Sequence, residues 1–158
     1  FYGIIIITCL SGCRNGGNMN KQPDKMTAYY YRAAHKQTDL YLDNQMHQLL
    51  AHAAQSGTDA YLLFADNGYS GLNLDRPAMT QMQMAMAQGL IGKIVVKDIS
   101  RLARDTAAFL TFAEDAERLL VELETVNGEN LLEVLNETRT LYAALEAAYA
   151  AGKGGERR

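Results

Sequence analysis

From Met26 onward the chain alternates short β-favouring runs with helical patterns, and that alternation confines it to an α/β architecture. Residues 28–31 read AYYY, an aromatic run of the kind enriched in strands. Residues 43–55 place Met46, Leu49, Leu50, Ala53 and Ala54 on one helical face, with Gly57 to close the helix. AYLLFAD (60–66) reads as a buried strand, and the turn-rich NGYSGLNLDRP leads into a second helix. Asp75 is suited to cap that helix and Pro77 to start its first turn. Met79, Met82 and Met86 recur at helical spacing, which reads as core packing.

KIVVKDI (93–99) is apolar through its centre and reads as an interior strand. Residues 105–120 form a further helix with Phe109, Phe112, Ala113, Ala116 and Leu120 inward, and VELETV (121–126) alternates as an edge strand does. In the tail, Leu131, Leu135, Thr138, Tyr142, Leu145 and Tyr149 form a narrow stripe, expected to pack on its own domain. The prediction is one α/β domain over 26–130. Its mostly parallel sheet is flanked by helices and carries an antiparallel edge strand. A short C-terminal helix and a polar tail occupy 131–158.

Residues 1–25 fit this pattern poorly and read as a leader or a start-site artefact. LSGC resembles a lipoprotein cleavage box, but the apolar run before it is far below transmembrane length and no basic segment precedes it. No membrane association is expected, and the chain is expected in the cytoplasm. Cys9 and Cys13 have no further cysteine to join them, and His35, His47 and His52 show no metal-ligand spacing, so the histidines read as solvated. Glycine-rich phosphate cradles are absent from the sequence, so neither metal nor cofactor is expected.

Ligands of such sheets bind beyond the carboxyl ends of the strands. The polar segments there, RAAHKQ, DNGYSG and DISRLAR, together with the DRP that follows the second, gather Arg32, Arg76, Arg101 and Arg104. Guanidinium groups suit phosphate oxygens, and the spacing of Arg101 and Arg104 puts both on one side of a helical turn. Taken singly, each also suits a surface salt bridge. The net charge of −3 argues against a general basic surface for nucleic acid, so any DNA contact has to be local.

YYYRAA, the NQ at 44–45, FADNGYSGLNLDRP (64–77) and VVKDISRLARD (95–105), in this order, resemble the catalytic domain of the serine recombinases, the resolvase and invertase family. The forms from conjugative and transposon-borne large serine recombinases are the most similar, and the resemblance covers roughly 28–130. It implies a domain that cuts DNA by transesterification: a serine attacks the phosphodiester and arginines neutralise the transition state without a metal. By motif position Arg32, Arg76, Arg101 and Arg104 would form the phosphate clamp, with Arg76 in a loop that DNA would order. Gln45 and Asp66 would support the site, and Tyr30 would pack beside it. Ser100 stands where the family has aspartate or serine.

Two departures qualify this. The family's Tyr-x-Arg-x-Ser reads Tyr30-Tyr31-Arg32-Ala33-Ala34 here, so Ala34 occupies the nucleophile's position. His35, Thr38 and Ser100 are the nearby substitutes, each requiring a different in-line geometry. No helix-turn-helix or zinc-ribbon pattern follows the last helix, as in a fragment, a decayed gene or a small protein kept for another purpose. Three readings follow. The favoured one is a catalytically silent module that binds DNA weakly and without sequence preference, alone, as a homodimer, or paired with an active recombinase. The others are an active or truncated recombinase and an α/β domain for small or phosphorylated molecules.

Overall fold

The computed structural model describes residues 5–8, 25–38, 43–57 and 60–153. Its elements run β1 (Ile5–Thr8), β2 (Met26–Ala33), α1 (Asn44–Gln55), β3 (Ala60–Asn67), α2 (Pro77–Ala87), β4 (Ile91–Val96), α3 (Ile99–Leu102), α4 (Thr106–Arg118), β5 (Glu122–Thr125) and α5 (Leu131–Lys153). The sheet order is β1-β3-β2-β4-β5, and β3, β2, β4 and β5 are mutually parallel. The expected α/β sheet is therefore present. The strand at 122–125 is an edge strand but pairs parallel with β4, whereas the antiparallel edge is β1, which pairs with β3. β1 falls inside the stretch read as a leader; Cys9 and Cys13 lie outside the described residues.

The three tyrosines of β2 show why a sheet forms here with two cores. Successive side chains of a strand point to opposite faces. Tyr30 enters the larger core with Phe64, Met79, Met82, Val96 and Phe112, while Tyr29 and Tyr31 enter a smaller one with Met46, Leu49 and Val95. α2 and α4 thus cover one face and α1 the other. The methionine stripe of α2 is core, as expected: Met79, Met82 and Met86 are all buried.

Three local expectations are corrected. Asp75 does not cap α2; Arg76 holds the N-cap position without a side-chain bond, and the capping oxygens come from Asp66, near the end of β3. Leu120 does not face inward. It follows the last turn of α4 at φ 55 and is 81 % exposed, because the chain must reverse sharply there to bury Val121 just before β5. The C-terminal helix is not short: α5 has 23 residues. Leu131 and Leu135 reach the core and Arg139 pairs with Glu114 and Glu117 of α4, but beyond that point Leu141, Leu145 and Tyr149 are exposed. The expected packing of the stripe therefore holds only for its first turns; the side chains of Thr138 and Tyr142 lie outside the described ones.

Candidate functional site

The parallel strand order reverses direction at β2: its successor β3 lies on one side and β4 on the other. Such a reversal opens a crevice at the carboxyl ends of the two diverging strands. Here it is a cleft of about 320 Å³ lined by Ala34 and Gln37 after β2, Gln45 at the start of α1, and Lys97, Arg101 and Arg104 after β4. A second cleft, of about 500 Å³, opens on the other side of Ala34 and is lined by Lys36, Asp66, Tyr69 and Pro77 among others. Ala34 stands on the ridge between them.

Each expected site residue can now be located. Arg101 and Arg104 face the same cleft as Ala34. The Arg101 Nη1 donates to Arg32 O at 3.2 Å and its Nε to Asp98 at 3.4 Å, while Arg104 is exposed. Gln45 is buried and grips the strand end with both ends of its amide, accepting from Arg32 N (3.3 Å) and donating to Arg32 O (3.2 Å). The Ser100 Oγ donates to Asp98. Burial would raise the Asp98 carboxyl, but the Ser100 hydroxyl and the Arg101 guanidinium outweigh it and hold the group below its ordinary value. His35 and Thr38 are exposed.

Arg32 and Arg76 are placed differently. Arg32 is fully buried, with Nε on Arg101 O (3.1 Å), Nη1 on Tyr69 O (3.0 Å) and Nη2 on Ser100 O (2.8 Å). It ties the loops after β3 and β4 together and does not line the cleft. Burial and the like charges of Arg76 and Arg104 lower its pKa. Gly71 makes this closeness possible: a Cβ there would lie 3.0 Å from the Arg32 guanidinium and from Arg104 Cγ.

Arg76 is 2 % exposed, not held in an exposed loop. Its Nη2 donates to Leu102 O and its guanidinium lies 5.6 Å over the Tyr30 ring. Nε and Nη1 are buried without an acceptor among the described residues. Pro77 and the amides of Ala78 and Met79 that Asp66 holds fix the backbone directly after it, which explains the ordered placement.

Asp66 is the one carboxylate among the described residues that is fully buried. It accepts from Ala78 N (2.9 Å), Met79 N (3.1 Å) and the Tyr30 hydroxyl (2.7 Å). Burial first, and this carboxylate with it, push the Tyr30 phenol far above its ordinary value, so it remains a donor. Burial and Asp43 likewise push Tyr31 up to about 12.

Sequence reasoning missed Lys97, Asp98 and Asn67. The first two sit within the quoted DISRLAR region, directly after a strand, and that position was the available signal; Asn67 looked like any turn residue. The solvated reading of His52 is also corrected. Its ring lies on the α1 face with Nδ1 3.0 Å from the Tyr29 hydroxyl and Nε2 3.6 Å from Glu124. Helical spacing points it at the sheet, which a search for metal-ligand spacing does not register.

An open parallel sheet with a cationic crevice at its switch point, backed by buried arginines, defines the class: an α/β domain of resolvase type. The chain belongs to that family, with residues 27–154 matching the Resolvase, N terminal domain. It is 30 % identical over 104 residues to the "Putative DNA recombinase" of Bacillus subtilis (strain 168), a match covering 66 % of this chain and 21 % of that one; the chain thus spans about a fifth of that relative's length. The N-terminal catalytic domain of TP901-1 integrase has the same fold (TM-score 0.61, 21 % identity, 77 % of this chain and 99 % of that one). So does the C-terminal catalytic domain of ISC1926 TnpA, an IS607-like serine recombinase (TM-score 0.56, 21 % identity, 84 % and 89 %). A resolvase family site-specific recombinase from Streptococcus pneumoniae shares it as well (TM-score 0.52, 18 % identity, 84 % and 100 %).

Proposed function

We propose that this serine-recombinase-like domain holds DNA phosphates without cutting them. What supports the reading is Ala34: by the Tyr-x-Arg-x-Ser motif a methyl group stands where the family's serine is expected, lining the same cleft as Arg101 and Arg104. A methyl can neither attack phosphorus nor carry a phosphoester. The serine's surroundings are otherwise represented, with Lys97, Arg101 and Arg104 offering donors in the cleft and Gln45 fixing the strand end from which Ala34 departs.

In this arrangement the phosphate-facing pair is Arg101 and Arg104, with Arg32 and Arg76 organising the loops beneath them. Arg76 retains two buried donors and adds positive charge under the cleft. Ser100 is a poor replacement nucleophile, because its hydroxyl is engaged by an Asp98 carboxylate whose lowered pKa makes it a weak base. Beyond Arg139, α5 offers Leu141, Leu145 and Tyr149 to a second copy or to an active recombinase. No described helix is long and apolar enough to cross a membrane. On this reading the protein works in the cytoplasm, where its DNA is.

Few phosphates can be neutralised, so binding should be weak, independent of sequence, and lost by an order of magnitude or more between roughly 50 and 200 mM salt. Fluorescence anisotropy with unrelated duplexes checks this. Replacing both Arg101 and Arg104 by Gln should remove binding and flatten the salt dependence, while Arg118→Gln, on the far side of α4, should change neither. A tight complex with one sequence at physiological salt would contradict the reading, as would binding indifferent to the double substitution.

A further inference from the structure

The segment that carries Ala34 is held at both ends by the turn after β3. At its first end, Gly68 N and Tyr69 N both donate to Ala33 O, at 2.8 and 3.0 Å. At its second, the Asn67 side chain bonds the Gln37 backbone twice: Oδ1 accepts from Gln37 N at 2.7 Å and Nδ2 donates to Gln37 O at 2.8 Å. Asn67 is the register partner of Ala33, the last residue of β2. Its amide therefore pins the backbone four residues beyond the end of β2, with one donor and one acceptor. Ala34, His35 and Lys36 bridge the two clamped points. The turn lies against them: Gly68 has φ 88, and a Cβ there would be in ordinary van der Waals contact with Lys36, at 3.5–3.6 Å. The cations of the cleft, Lys97, Arg101 and Arg104, stand on a different loop.

We propose that Asn67 is a positioning residue, whose side-chain amide fixes the loop of Ala34 so that the group borne at position 34 keeps a set place over the Arg101 and Arg104 cleft. The inference rests on the reading of Ala34 as the nucleophile's position. It separates the duties of two loops: the one after β4 binds, and Asn67 aims the one after β2. Loss of Asn67 should then spoil alignment and spare affinity.

The test uses the full chain carrying Ala34→Ser, with and without Asn67→Ala or Asn67→Asp, and follows covalent adduct formation on nicked DNA as its concentration is varied. Asn67→Ala should lower the maximal rate by about 100-fold, the loss expected of a displacement near 1 Å, with the half-saturating DNA concentration unchanged. Asn67→Asp keeps the acceptor for Gln37 N–H and should recover part of the rate. An unchanged maximal rate, or a loss confined to half-saturation, would overturn the proposal. Amide exchange at Gln37 in the chain with its native Ala34 decides the clamp separately: Asn67→Ala should speed it by about tenfold or more. Unchanged exchange would overturn the clamp even if Ala34→Ser gave no adduct, and that absence of adduct would count against the reading of Ala34 alone.

Discussion

The Tyr30 hydroxyl of β2 donates a 2.7 Å hydrogen bond to Asp66 at the end of β3, and the same carboxylate receives the first amides of α2. One buried group thus joins two strands to a helix at the floor of the site. Asp66→Ala leaves a buried phenol and two helix-end amides without their acceptor, and should cost about 3 kcal/mol. Tyr30→Phe should cost about 1 kcal/mol, since the carboxylate keeps its two amides. Urea unfolding measures both; a loss from Asp66→Ala as small as that from Tyr30→Phe would contradict the capping role.

The same residue shows what the sequence made legible. The alternation of elements, the methionine core of α2 and the motifs around Arg101 and Arg104 could be read directly, because periodicity and spacing report local structure. The cap on α2 could not, because Asp75 is adjacent in sequence while Asp66 stands on β3, twelve residues before the amide of Ala78 that it holds. Motif position marks Arg32 and Arg76 as phosphate-clamp candidates, but their burial and their hydrogen bonds to Tyr69, Ser100, Arg101 and Leu102 depend on how three loops meet. The exposed end of α5 was hidden for the opposite reason: its stripe is periodic, and periodicity does not say how far a neighbouring element extends.

Leu120 is held at φ 55 with 81 % of its surface exposed, so its side chain gains little from packing while the backbone bears left-handed strain. Leu120→Gly should stabilise the domain by about 0.5–1 kcal/mol, visible as a rise in Tm. A fall in Tm would mean that the leucine makes contacts that outweigh the strain.

Asp98 gives the site an acid limit. Its folded-state pKa lies below the ordinary 3.8, so the stability it contributes is complete above that value and is lost as pH falls through the folded one. Because 43 % of the side chain is exposed, the effect should stay under about 1 kcal/mol. Asp98→Asn should flatten the stability profile below about pH 4. An unchanged slope there would show that Ser100 and Arg101 do not favour the charged form.

The exposed face of α5 should mediate self-association. Leu141→Arg combined with Leu145→Arg should shift a concentration-dependent sedimentation profile to that of a monomer while leaving the Tm within about 2 °C, since both side chains are exposed in the single chain. A substantial fall in Tm would place these leucines in the folding core instead.

The central claim is that the proposed phosphate site lacks a nucleophile at Ala34, and a denaturing gel tests it directly. The unaltered protein and Ala34→Ser are incubated with a nicked DNA substrate and resolved under conditions that preserve only covalent links. The unaltered protein should give no adduct, and Ala34→Ser should give one, at little cost in stability because Ala34 lies at the edge of two open clefts. An adduct on the unaltered protein would contradict the account and direct attention to His35, Thr38 or Ser100.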